Sequence, residues 1–207
     1  ELLFSAEGMK GNIGGVILFD ETIRQNSATG TPLVDLITAQ GALPGIKVDK
    51  GLKPIEGLEE NLTQGLEGLD ERLKEYYDLG AKFTKWRAVI NIGKDLPSEA
   101  AISANMEALA SYAKIVQDNK MVPMVEPEVL MDGDHTIEAC FEVTSRCLDS
   151  LFSNLHKSGV NIEGTILKPN MITSGSSAKK QAGVQEVAEK TLQCLKANVP
   201  DNLPGIT

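Results

Sequence analysis

Ile162-Glu163-Gly164-Thr165-Ile166-Leu167 is an apolar run, and Lys168, which opens Lys168-Pro169-Asn170-Met171, sits at its end. The run through Leu167 reads as a buried strand. A lysine held there is kept from bulk water, which favours the neutral amine, the form that attacks carbonyls. Lys168 is therefore the leading candidate for a Schiff-base lysine. The same arrangement recurs upstream. Ile46-Lys47-Val48-Asp49-Lys50 follows a short apolar segment, Phe83-Thr84-Lys85-Trp86-Arg87 lies inside another, and Val122-Pro123-Met124-Val125-Glu126-Pro127-Glu128 ends a third. Side chains alternate along a strand. Lys47 and Asp49 thus share one face, as do Lys85 and Arg87, and Glu126 and Glu128 if the strand persists across Pro127. In a parallel barrel, inward-facing residues near the C-terminal ends of several strands converge on one site.

The spacing predicts strands over 15–19, 45–48, 82–90, 121–125 and 162–168, with 205–207 beginning a sixth. Amphipathic stretches fill the gaps. Residues 63–79 carry Leu66, Leu69, Leu73 and Tyr76 at steps of three and four before Gly80, a helix-stop residue. Helices are likewise predicted over 98–119, 136–157 and 184–198. Thr31-Pro32 opens a shorter helix through Ile37, with Thr31 as its cap. Alternating strands and helices imply a parallel sheet with right-handed crossovers. The predicted fold is α/β, a (β/α)8 TIM barrel of which the chain carries about five units and the start of a sixth. A complete barrel takes about 250 residues, so residues 1–207 are read as one domain, an incomplete barrel cut from a longer protein. Such an open piece exposes two parallel edges.

Acidic residues outnumber basic ones, 29 against 20, for a formal charge of −9. That balance argues against a nucleic-acid or membrane-surface binder, while local lysines in an acidic protein suit a small anionic ligand. No apolar stretch reaches the roughly 20 residues of a membrane span, and a cytoplasmic location is expected. Cys140, Cys147 and Cys194 lack metal-site spacing and read as core thiols. Of the two histidines, His135 and His156, each is expected on the surface or in a hydrogen bond, so no metal site is expected. Trp86 points away from Lys85 and Arg87 to pack on a helix. Asp132-Gly133-Asp134 lacks the other positions of a calcium loop and reads as a turn before the helix at Thr136.

Seven stretches together resemble the class I, Schiff-base fructose-bisphosphate aldolases. They are Gly15-Val16-Ile17-Leu18-Phe19, Gly45-Ile46-Lys47-Val48-Asp49-Lys50-Gly51, Thr63-Gln64-Gly65-Leu66, Lys85-Trp86-Arg87, Val125-Glu126-Pro127-Glu128, Asp132-Gly133-Asp134-His135 and Leu167-Lys168-Pro169-Asn170-Met171. The resemblance runs in order over essentially the whole chain. It implies a glycolytic and gluconeogenic lyase that cleaves fructose 1,6-bisphosphate into dihydroxyacetone phosphate and glyceraldehyde 3-phosphate, with no cofactor. By the same resemblance Lys168 forms the imine, Glu126 is the principal acid/base, and Lys85 assists in the carbinolamine and cleavage steps. Lys47 and Arg87 bind substrate and phosphate, with Glu128 and Asp49 in the same charged pocket. The positive charges of Lys85 and Arg87 are expected to favour the neutral form of Lys168. A homotetramer is also implied. Complete members carry an acidic residue on an earlier strand, and a serine and glycine loop and an arginine on later ones; neither region lies within these residues. Another Schiff-base aldolase, or a noncatalytic sugar-phosphate binder or scaffold, is the alternative reading.

Overall fold

The computed structural model describes residues 1–6 and 8–207. Its strands are β1 (Gly15–Leu18), β2 (Leu43–Lys47), β3 (Leu52–Pro54), β4 (Asn61–Thr63), β5 (Phe83–Ile90), β6 (Val122–Val129), β7 (Ile166–Leu167) and β8 (Gly205–Ile206). The α-helices are α1 (Asp20–Ile23), α2 (Leu33–Ala39), α3 (Leu69–Asp78), α4 (Glu99–Asp118), α5 (Ile137–Lys157) and α6 (Val184–Asn198). Six strands form one parallel sheet in the order β1-β2-β5-β6-β7-β8, and β3 with β4 makes a separate antiparallel hairpin. The sheet is open at β1 and β8, as a partial barrel should be.

Alternation along β5 and β6 sorts the two faces. Trp86, Ala88 and Ile90 point outward with Val125 and Val129, and all are buried under the helices. Trp86 stacks at 5.3 Å on Tyr112 of α4, as its place between two cations predicted. The Tyr112 hydroxyl lies 2.6 Å from Thr84 Oγ1 and donates to the Met124 carbonyl at 3.2 Å. One phenol thereby ties β5 and β6 to α4 behind the sheet. The concave face carries Phe83, Lys85 and Arg87 on β5, and Met124, Glu126 and Glu128 on β6. Gly45 is required there, since a Cβ would lie 2.3 Å from the Phe83 ring.

Helix ends follow their local chemistry. Ser98 and Thr136 cap α4 and α5 by accepting from Ala101 N and Ala139 N, so the acidic turn before Thr136 is a helix entry. Glu60, itself buried, accepts from both the backbone and the hydroxyl of Ser98 and so ties the β3–β4 hairpin to α4. Gly80 (φ 104°) follows α3 in a backbone conformation that favours glycine.

Four boundaries differ from expectation. The helix predicted from residue 63 starts at Leu69, because Asn61–Thr63 pairs with Leu52–Pro54 and Gly65 and Gly68 take positive φ (130° and 60°). Thr31 is not a cap. Pro32 occupies that place without a side-chain bond, and the Thr31 N–H is used by Ser27 Oγ. The strand predicted over 162–168 is only Ile166–Leu167, since Asn161 Oδ1 takes the Glu163 N–H and turns 162–164 into a 3-10 helix. Conversely, β6 runs on to Val129, four residues past its predicted end.

Candidate active site

Five charged side chains from four segments form an alternating row across the concave face. Lys47 Nζ lies 2.5 Å from Asp49 Oδ1, Asp49 Oδ2 lies 3.7 Å from Lys85 Nζ, and Lys85 Nζ lies 2.9 Å from Glu126 Oε2. The row closes with Lys168 Nζ, 2.5 Å from Glu126 Oε1. Parallel register makes this possible by aligning Lys47 with Lys85 across β2 and β5, while Arg87 aligns with Glu126 across β5 and β6. Arg87 Nε pairs with Glu128, and the Arg87 backbone N–H donates to Asp49 Oδ2 at 3.3 Å. All seven residues singled out in the sequence are thus brought together.

Burial is graded along the row. The Asp49 and Glu126 side chains are each 6% exposed and Lys85 is 11% exposed, whereas Lys168 is 40% exposed. The expectation that Lys168 is buried is therefore corrected: β7 lies near the open side of the sheet, and the amine borders a cavity of about 550 Å³. That cavity is lined mainly by apolar side chains, Ile17, Phe83, Met124 and Ile166 among them, with Lys82 and Lys168 as its charged groups. Lys47 and Asp49 face a second recess of about 340 Å³ beside Phe19 and Arg72.

Two cations meeting one carboxylate determine the state of Glu126. Burial disfavours its charge, but hydrogen bonds from Lys168 and Lys85 outweigh that and hold its carboxyl below the ordinary glutamate range. Ionised Glu126 can accept a proton from an amine and return it to a departing oxygen. Three lysines against two carboxylates leave one positive charge in excess along the row, which suits an anionic ligand.

Other expectations divide. The three cysteines are buried and free, and burial raises each thiol, Cys147 to about 12. His156 is exposed at the end of α5, as expected. His135 is not: it is 8% exposed with neither ring nitrogen hydrogen-bonded, and desolvation lowers its pKa despite Asp134. It is covered because residues 175–177 bond back onto Met131, Gly133 and His135 through their backbone N–H groups. Sequence reasoning also missed Arg72, whose guanidinium donates to the carbonyls of Val48 and Gly65 and fixes the loop after β2. Its place on one turn of α3 gave no signal of that reach.

Residues 1–207 match the sequence model of the family Glycolytic, fructose-bisphosphate aldolase class-I. The chain belongs to the class-I fructose-bisphosphate aldolase family. A probable class 1 fructose-bisphosphate aldolase of Xanthomonas axonopodis pv. citri is 56% identical over the whole chain. The cytosolic fructose-bisphosphate aldolase 6 of Arabidopsis thaliana is 49% identical over the same 207 residues. A Plasmodium falciparum fructose-bisphosphate aldolase, solved in complex with TRAP and a small-molecule inhibitor, superposes with a TM-score of 0.97 at 45% identity over 99% of this chain. The chain spans 62%, 58% and 60% of those three relatives, respectively. This places the partial barrel within the aldolase family. Among the described residues, no helix is long and apolar enough to cross a membrane.

Proposed function

We propose that the polypeptide carrying these residues reversibly cleaves fructose 1,6-bisphosphate to dihydroxyacetone phosphate and glyceraldehyde 3-phosphate through an imine on Lys168. The observation that carries this reading is the 2.5 Å contact between Lys168 Nζ and Glu126 Oε1 within the alternating row. The neutral amine adds to the C2 carbonyl and forms a carbinolamine. Glu126, having taken a proton from the amine, returns it to the carbinolamine hydroxyl, which leaves as water. As the C3–C4 bond breaks, ionised Glu126 takes the C4 hydroxyl proton, C4 leaves as the aldehyde, and the iminium draws in the electron pair of the broken bond; the enamine so formed receives a proton back at C3 before hydrolysis. Lys85, 2.9 Å from Glu126, supplies positive charge beside the oxygen that develops negative charge. Lys47 and Arg87 hold phosphate and substrate hydroxyls, Arg87 through its planar fork of donors. Asp49 and Glu128 keep those cations in place between turnovers.

Family membership supports a cytosolic homotetramer as the working assembly, to be checked by fractionation and by mass in solution. Substrate profiling tests the reaction. Cleavage of fructose 1,6-bisphosphate in preference to deoxyribose 5-phosphate or transaldolase substrates is expected. A polypeptide that traps dihydroxyacetone phosphate on Lys168 but releases no aldehyde product from the bisphosphate is a sugar-phosphate binder instead.

A further inference from the structure

Strand β7 has only two residues in its ladder with β6, Ile166 opposite Met124 and Leu167 opposite Val125. Lys168 adds one more bond, its N–H donating to the Val125 carbonyl at 2.9 Å. In a parallel ladder the residue that donates to position 125 accepts, through its own carbonyl, from the N–H of position 127. Position 127 is proline and has no N–H. The regular ladder therefore ends at the residue that carries the imine-forming amine.

It is taken up again by a side chain. The Val129 N–H donates to Asn170 Oδ1 at 3.1 Å, and Asn170 Nδ2 donates to Thr144 Oγ1 of α5, also at 3.1 Å. Thr144 is buried, so this anchor is set in the core. One amide thus joins the end of β6, the segment after β7, and α5, two residues from Lys168. Pro169, buried between them, gives that short span a fixed φ.

We propose that Asn170 is a positioning residue for Lys168: its side-chain amide replaces the ladder that Pro127 interrupts and fixes the reach of the Lys168 amine to Glu126. The inference rests on the Schiff-base reading of Lys168. Without the clamp, the Lys168 N–H is the one backbone bond left between segment 168–170 and β6, and the contact of the amine with Glu126 has to hold its own register.

The test is borohydride trapping of dihydroxyacetone phosphate in the full polypeptide, followed by intact mass and peptide mapping, with thermal melting in parallel. Asn170→Ala is expected to slow trapping about 100-fold, the cost of roughly 1 Å of misplacement, with kcat falling and KM changing less than about threefold. Asn170→Asp is expected to recover most of the rate, because a carboxylate oxygen still accepts from Val129 and the Thr144 hydroxyl can rotate to donate. Thr144→Val, which removes one anchor and keeps the volume, is expected to show a smaller slowing and supplies the answer if Asn170→Ala does not fold. Trapping at the wild-type rate in Asn170→Ala or, failing that, in Thr144→Val overturns the inference. So does an Asn170→Asp no faster than Asn170→Ala. If the wild type itself forms no adduct, the Schiff-base reading fails and takes this inference with it.

Discussion

Replacing Glu126 with glutamine removes a charge and a proton acceptor while keeping the volume of the side chain. In the native row its carboxylate faces Lys168 at 2.5 Å and Lys85 at 2.9 Å and is only 6% exposed. At an effective dielectric near 20, each contact is worth about 6 kcal/mol of gross attraction. Water at the half-exposed Lys168 reduces its share. After the substitution Asp49, 3.7 Å away, is the remaining carboxylate near Lys85. The amide can hold a hydrogen bond to substrate but cannot exchange a proton at neutral pH. Loss of a general acid/base costs about 100- to 10,000-fold in rate, equivalent to about 2.7–5.4 kcal/mol of barrier. Steady-state cleavage of fructose 1,6-bisphosphate by Glu126→Gln in the full polypeptide should show kcat lower by that factor and KM within about threefold. A fall of less than about tenfold would pass the role to Glu128 or to a group outside these residues.

Three further outcomes follow from the same geometry. The depressed carboxyl of Glu126 contributes stability that is complete above the ordinary value of 4.5 and is lost as pH falls through its lower folded value; the melting-temperature gap between wild type and Glu126→Gln should therefore narrow on acidification below that range, and a gap that stays constant to pH 3 would contradict the assignment. Gly175→Ala should destabilise by about 1–3 kcal/mol, read by denaturant titration, because its Cβ would lie 2.4 Å from the Gly133 carbonyl oxygen, a backbone atom that cannot swing aside; an unchanged midpoint would show that the 175–177 segment yields freely. Cleavage activity should persist in EDTA, since the imine serves as the electron sink and the two histidines lie on separate segments; activity lost in EDTA and restored by zinc would assign the reaction to a metal.

The concave face was legible because its signal is local. A charge that breaks an apolar run twice, two residues apart, marks one face of a strand, and β5 shows this at Lys85 and Arg87 as clearly in sequence as in space. Strand ends were harder to read. The predicted end of β6 lies at Val125, before Pro127, yet the strand continues because its even-numbered residues make the bonds to β5, where the ladder holds to Val129 opposite Ile90. The proline falls on the side facing β7, where no donor is used. The exposure of Lys168 depends on where the open edge of the sheet lies, which apolar content alone does not encode. The false helix turn at Leu66 arose from a coincidence of spacing that Gly65 and Gly68 override. His135 became buried through backbone bonds from residues some forty positions later, a contact with no trace in its own neighbourhood.

The central claim is that the Lys168 amine is the nucleophile. Reduction with borohydride in the presence of dihydroxyacetone phosphate, followed by peptide mass mapping of the full polypeptide, tests it directly. One adduct per chain, located on the peptide that holds Leu167-Lys168-Pro169-Asn170 and abolished in Lys168→Ala, is the predicted result. An adduct on Lys47 or Lys85, or none at all in a folded protein that still cleaves fructose 1,6-bisphosphate, would contradict the account.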